Sequence, residues 1–238
     1  MRIDKYLAYA LNKTRSEVRK IIKSKHVRVN GQIIANNEYQ VDEFSDIITF
    51  MNQRLEYQQY LYLMMNKPSG YLSATADNIH PLVTSLVEGY DNYNLFIAGR
   101  LDIDSEGFVL LTNDGDLAHK ITSPKYNVLK KYFVEVEGEF LDTDIQEFAV
   151  GMMISDGKGN TFQTKPAKLD IIDTNKAYIT ISEGKFHQVK NMCFKLNKKV
   201  RYLKRIQIGE VTLDCTLKLG EYRHLTEQEI ILLQKQLT

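Results

Sequence analysis

The stretch Gly99-Arg100-Leu101-Asp102-Ile103-Asp104-Ser105-Glu106-Gly107-Phe108-Val109-Leu110-Leu111-Thr112-Asn113-Asp114-Gly115-Asp116 places two glycine-bounded polar turns around a short apolar run, Phe108 to Leu111. An unbroken apolar run of this length between turn signals reads as a loop feeding a buried strand, with Asn-Asp-Gly as the exit turn. Asp102 then sits in a loop that a rigid strand can position, and such loops tend to carry chemistry. Asp102 and Asp104 lie two residues apart beside Arg100. On its own the pair reads equally as a turn cap, a nucleophile or the start of a metal site.

Further strands are expected on either side. Tyr60 to Met65 leads into the turn Asn66-Lys67-Pro68-Ser69-Gly70, and Lys130 to Gly138 alternates so that Tyr132, Val134 and Val136 share a face. Thr161 to Leu169, Ala177 to Ser182 and Ile206 to Leu213 read as strands. Helical spacing marks Asp144 to Met152 and Gln188 to Leu196, and Thr226 can cap a C-terminal helix from about Gln228 to Gln236. Strands outnumber helices and do not alternate with them, which predicts an α+β fold with a mixed, largely antiparallel sheet. Neither a dinucleotide fingerprint nor a P-loop is present in the sequence.

The chain has 238 residues, 43% hydrophobic and 26% charged, and a net charge of +1. No apolar run reaches the roughly 18 residues of a membrane span, and the N-terminus lacks a signal-type apolar stretch. Cys193 and Cys215 are too few for a disulfide framework. A cytoplasmic protein without a membrane partner is expected. The near-neutral total hides a split, because residues 1–31 carry +7 and the remainder −6. A basic leading segment on a mildly acidic body points to a module for a polyanion.

That segment begins with Ile3, Tyr6, Leu7, Ala10 and Leu11 on one helical face. Thr14-Arg15-Ser16-Glu17 is a capping box for a second helix, on which Arg15, Arg19 and Lys23 line up away from Val18, Ile21 and Ile22. Val27-Arg28-Val29-Asn30-Gly31-Gln32-Ile33-Ile34 is an Asn-Gly hairpin, and Asp46 to Phe50 a closing strand. Residues 1–50 resemble the S4 RNA-binding domain. The resemblance implies phosphate contacts from Arg2, Lys5, Arg15, Ser16, Arg19, Lys23 and Arg28, which would be salt-sensitive and read little sequence. The polar, aperiodic residues 51–59 form the expected linker, with residues 60–238 as a second domain.

Residues 184–208 hold eight Lys/Arg and no acidic residue, with Phe186, His187 and Tyr202 interleaved. Such a run fits a groove that tracks a nucleic-acid backbone, or a merely solvated surface. Lys67-Pro68-Ser69-Gly70, Gly99-Arg100-Leu101-Asp102, Lys131-Tyr132-Phe133-Val134 and Glu183-Gly184-Lys185-Phe186-His187-Gln188-Val189-Lys190 follow one another in the order seen in the Rsu/Rlu pseudouridine synthases, and together resemble that family. Ile121-Thr122-Ser123-Pro124, Lys165-Pro166-Ala167 and Gly220-Glu221-Tyr222-Arg223 make the Rsu-type enzyme of small-subunit (16S) ribosomal RNA the nearer resemblance; large-subunit (23S) relatives share the layout.

The resemblance implies that a uridine is flipped out, its glycosidic bond broken and the base re-attached through C5, with no cofactor or metal. Asp102 matches the catalytic aspartate, as nucleophile or base, Lys190 its basic partner and Tyr132 the tyrosine packed on the base. Arg100 suits the space left by the flipped base, and extruding a base has an energetic cost that such filling offsets. Leu203 matches an apolar position near the base, although plain core packing accounts for it more readily. Lys67, Lys185 and His187 are expected at the RNA, and Asp104 is read as turn-forming. Ser105, Phe108 and Asn191 depart from the family's usual threonine, leucine and second basic residue, and Asn191 removes a positive charge near the site. The expected partner is ribosomal RNA or a small-subunit ribonucleoprotein, met by a monomer. Two other classes stay open at this point: a non-catalytic S4-type RNA-binding or ribosome-assembly factor, and a hydrolase or phosphotransferase with a metal at Asp102-x-Asp104.

Overall fold

The computed structural model describes residues 1–155 and 159–235. Its contacts divide into one unit of Met1–Leu61 with Val87–Leu95, and another of Tyr62–Leu86 with Phe96–Thr238.

In the first unit the amphipathic spacing becomes α1 (Ile3–Ala10) and α2 (Arg15–Lys23). The Thr14 hydroxyl accepts from the Glu17 amide while the Glu17 carboxylate accepts from the Thr14 amide, so both orphan donors at the start of α2 are satisfied. Asn30 and Gly31 both have positive φ (49° and 83°), the backbone of a tight type I′ turn. They join β1 (Val27–Val29) to β2 (Gln32–Ile33), and β3 (Ile48–Phe50) and β4 (Gln53–Arg54) complete a sheet ordered β2-β1-β3-β4. Strand β4 lies inside the stretch that reads as a linker. Ile3, Leu7, Val18, Ile22, Val27 and Ile48 are fully buried and form the core. Val87–Leu95 packs here as well: Asn92 Nδ2 donates to the carbonyls of Ala8 and Lys13, and the Tyr93 ring meets Tyr9 edge-on. Nothing in the local sequence announces that excursion.

The second unit is built on β5 (Tyr62–Lys67), β6 (Phe96–Ala98), β7 (Glu106–Thr112), β8 (Lys130–Val136), β9 (Met153–Ser155), β10 (Thr161–Gln163), β11 (Lys168–Asp173), β12 (Lys176–Ile181), β13 (Val200–Ile208), β14 (Val211–Thr212) and β15 (Tyr222–His224). Its helices are α3 (Gly115–Thr122), α4 (Asp142–Val150), α5 (Gln188–Lys195) and α6 (Glu227–Lys235). The main sheet runs β11-β12-β8-β13-β7-β5-β15, with β6 added to β7 and β14 to β13. Among the described residues its pairings are antiparallel except β7 with β13. The expected α+β fold is the observed one. Phe108, Val109, Leu110 and Leu111 are all fully buried, which is why the run is apolar on both faces of the pleat.

Two expected strands divide differently. Thr161 to Leu169 breaks at Lys165-Pro166 into β10 and β11, since proline has no amide to give a ladder. The strand expected from Ile206 begins at Val200 instead. The end of the C-terminal helix expected at Gln236 lies outside the described residues.

The register of the sheet sets one row of side chains. Ile179 faces Tyr132, Tyr132 faces Arg205, Arg205 faces Gly107 and Gly107 faces Lys67. Directly opposed residues share a face, so this row from β12 to β5 is a single line across one side of the sheet. Gly107 is indispensable to it: φ is +102°, and a Cβ there would lie 2.2 Å from the Arg205 carbonyl oxygen.

Candidate active site

Asp102 lies in the loop between β6 and β7, and that loop is held from below. The Lys67 ammonium, fully buried at the end of β5, donates to the carbonyls of Ser105 (2.7 Å), Pro68 (3.0 Å), Asp102 (3.1 Å) and Ile103 (3.2 Å). The Gly70 amide donates to the Ile103 carbonyl, and the Leu101 amide to Ser73 Oγ. Lys67 was expected at the RNA; burial excludes that contact, and the residue instead fixes the backbone that carries Asp102.

From the other side, α5 delivers Lys190. Its Nζ lies 3.0 Å from Asp102 Oδ2 and 2.6 Å from Asp104 Oδ1. Burial opposes the charge on Lys190, but the two carboxylates outweigh it and raise its pKa above the ordinary lysine value. Burial likewise works against the Asp104 carboxylate, and Lys190 more than compensates, leaving that pKa lowered. Asp104 therefore has a partner, which its reading as a turn residue did not include. His187, immediately before α5 with φ of +47°, places Nε2 3.4 Å from Asp102 Oδ1 and stacks on Phe186. The turn into α5 is pinned by buried Gln188, which donates to Glu183 and accepts from the Lys185 amide. Asn191 Nδ2 donates to the Ser155 and Phe186 carbonyls, so its amide holds the backbone of β9 and of the turn into α5.

Asp102, Tyr132, Lys190, Arg100, Lys185 and His187 all line one cavity of about 710 Å³. Tyr132 is buried in its wall and Arg100 is exposed at the surface. Leu203 lines an adjoining recess of about 70 Å³ together with Asp102, Tyr132 and Ser105, whose buried hydroxyl has no hydrogen-bond partner among the described residues. Lys185 stands 3.7 Å over the Phe162 ring and 3.8 Å from Glu183.

Two buried cations stand in the cavity wall that the sequence expectations do not place in the site, Lys130 and Arg205. Arg205 donates through Nε to the Phe108 carbonyl and through Nη2 to Gly99. A signal was available: Lys130 precedes Tyr132 by two and Arg205 follows Leu203 by two, so strand alternation places each on the face of its neighbour. The 184–208 run is not a continuous basic groove. Arg205 is in the cavity wall, and Lys198 is buried against Asp144 at 2.9 Å.

Burial lowers the pKa of both Lys67 and Lys130 to about 8, yet their replacements are expected to act in opposite directions. Lys67→Met leaves buried carbonyls without a donor and is expected to destabilise by about 3 kcal/mol in urea unfolding. Lys130→Met removes an ammonium that has no hydrogen-bond or ion-pair partner among the described residues and is expected to stabilise, by up to roughly 3 kcal/mol at pH 7. A folded-state pKa below the unfolded one penalises the fold fully below about pH 8 and progressively less toward pH 10.5. The stability advantage of Lys130→Met should accordingly shrink across that window.

In the first unit, Lys5, Arg15, Ser16, Arg19, Lys23 and Arg28 are exposed. Arg2 is half-exposed and engaged with buried Asp4 (2.9 Å) and with Glu38 (3.0 Å). No helix among the described residues is long and apolar enough to cross a membrane. The described residues contain no group of three or more His, Cys, Asp or Glu arranged to hold a metal ion, and Asp114 is occupied in capping α3 and accepting from Tyr62.

Comparison with known proteins gives a consistent picture. The RNA pseudouridylate synthase family profile matches residues 61–195, and the S4 domain profile residues 1–48. An RNA pseudouridine synthase of Bacillus subtilis is 41% identical over 240 residues, covering 99% of both chains. The ribosomal small subunit pseudouridine synthase A of Escherichia coli is 39% identical over 230 residues, covering 97% of this chain and 98% of that one. Its counterpart in Yersinia pestis is 38% identical, covering 97% of each. A crystal structure of a pseudouridylate synthase superposes with a TM-score of 0.68 at 38% identity, over 98% of this chain and 99% of the other.

Proposed function

This chain belongs to the RNA pseudouridylate synthase family, and on that basis we propose that it converts one uridine of small-subunit ribosomal RNA to pseudouridine. The observation that carries the reading is the Asp102–Lys190 ion pair in a cavity walled by Tyr132. The target uridine leaves its stack and enters the cavity, its base against Tyr132 and Leu203, while Arg100 takes the space it vacates. Asp102, as nucleophile or base, acts on the nucleotide with its negative charge held in place by Lys190. The N1–C1′ bond breaks, a C1′–C5 bond forms, the proton on C5 is released and N1 gains one, so the reaction is an isomerisation. Lys185 and His187 stand at the edge of the cavity as RNA contacts.

Residues 1–50 are proposed as the RNA-docking module, with the exposed cations of α2 on the phosphate backbone, 51–59 as a linker and 60–238 as the catalytic domain. Its place of action is the cytoplasm, as a monomer. The test is release of tritium from C5-labelled uridines of 16S ribosomal RNA, free or in assembling subunits, beside a 23S control. Release from 16S alone is expected; release from 23S alone overturns the substrate, and none from either overturns the activity.

A further inference from the structure

The cavity holds more positive charge than Asp102 chemistry requires. Its two carboxylates, Asp102 and Asp104, are both taken by Lys190. Arg205 is fixed by two backbone carbonyls, which accept its hydrogen bonds but do not cancel its charge. Lys130, 5% exposed, has no hydrogen-bond or ion-pair partner among the described residues, and it shares its face of the sheet and the cavity wall with Arg205, which stands opposite Tyr132. A buried ammonium and a buried guanidinium lining one cavity, whose carboxylates are already paired, offer positive charge that an anion would balance. Lys130 also stands two residues from Tyr132 on the same face of β8, a separation of about 7 Å along the strand. That is the scale on which a nucleotide separates its base from a neighbouring phosphate. A uracil ring is neutral, so the RNA supplies its negative charge as phosphate.

We propose that Lys130, with Arg205 beside it, forms a subsite for a backbone phosphate of the RNA next to the nucleotide held against Tyr132. The assignment rests on the proposed function for its ligand and adds to it a fixed point at the depth of the cavity. A lysine suits this role because its ammonium is a compact point charge that binds phosphate without a planar geometry. The phosphate in turn supplies the counter-ion that the fold omits, so the charge buried in the free protein is paired in the complex.

The experiment compares wild type, Lys130→Met, Lys130→Gln, Lys130→Arg and the exposed control Lys199→Met. Binding to an unmodified 16S ribosomal RNA transcript is measured by filter retention over a salt series, and isomerisation separately by tritium release. Lys130→Met and Lys130→Gln are expected to bind about tenfold more weakly at about 0.1 M salt. The slope of log affinity against log salt should be shallower by about 0.7 to 0.9, the signature of one lost phosphate contact. Lys130→Arg should recover most of the slope, Lys199→Met should match wild type, and KM should rise more than kcat falls. Wild-type affinity and slope in both Lys130→Met and Lys130→Gln would overturn the subsite, as would a loss confined to kcat, which would mean that Lys130 acts on the base. Binding is read without turnover, so failure of the wild type to make pseudouridine tells against the reaction and not against this site.

Discussion

Asp102→Asn is expected to lower pseudouridine formation by about 10⁴-fold while leaving the fold and RNA binding in place. The side chains are nearly the same size, and the loop does not depend on the carboxylate. Lys67 grips the backbone carbonyls of Asp102, Ile103 and Ser105, and the Ser105 amide donates to the Asp102 carbonyl. What the substitution removes is the carboxylate paired with Lys190, the group proposed to attack or deprotonate the nucleotide. The melting temperature should move by no more than a degree or two, because a half-buried ion pair contributes little net stability once Asp104 still pairs the lysine. The measurement is tritium release in single turnover. Activity above a tenth of wild type would remove Asp102 from the chemistry.

Gly107→Ala is expected to destabilise the second unit by more than about 4 kcal/mol, seen as a melting temperature lower by more than about 8 °C. Two effects combine. The backbone has φ of +102°, a region that favours glycine, and the new methyl would meet the Arg205 carbonyl oxygen at 2.2 Å and its amide at 2.9 Å. Neither atom can rotate aside, since both belong to the β13 backbone at the parallel pairing with β7. Gly70 separates the two contributions, having a similar φ of +88° with nothing within 4 Å of the added carbon. Gly70→Ala should cost only about 1 kcal/mol. Equal effects at the two glycines would show that close strand approach is not what Gly107 provides.

Much of this architecture is legible in the chain itself, for identifiable reasons. Phe108 to Leu111 reads as a buried strand because burial on both faces leaves no polar position. Thr14 with Glu17 and Asn30 with Gly31 satisfy local backbone requirements that no distant residue has to complete. Asp102, Tyr132 and Lys190 belong to motifs lying far apart in the sequence, and the fold brings all three to one cavity. What could not be read is decided by register and burial. A lysine in a Lys-Pro-Ser-Gly turn looks like a surface cation, and only its place at the end of the β12-to-β5 row turns Lys67 inward. The evenly basic 184–208 run conceals that Lys198 and Arg205 are interior while Lys195 and Lys199 are exposed. Asp104 had no partner that spacing could reveal, because Lys190 lies 86 residues away.

The double pairing of Lys190 has a consequence for turnover. An enzyme whose aspartate gives up its negative charge, whether in a covalent bond or by taking a proton, faces a moment when the neighbouring cation is left alone in a half-enclosed space. Here Asp104, 2.6 Å from Lys190, gives that cation a second carboxylate. With two carboxylates beside it, Lys190 keeps a partner even where Asp102 is neutral, so its position does not depend on a single charge.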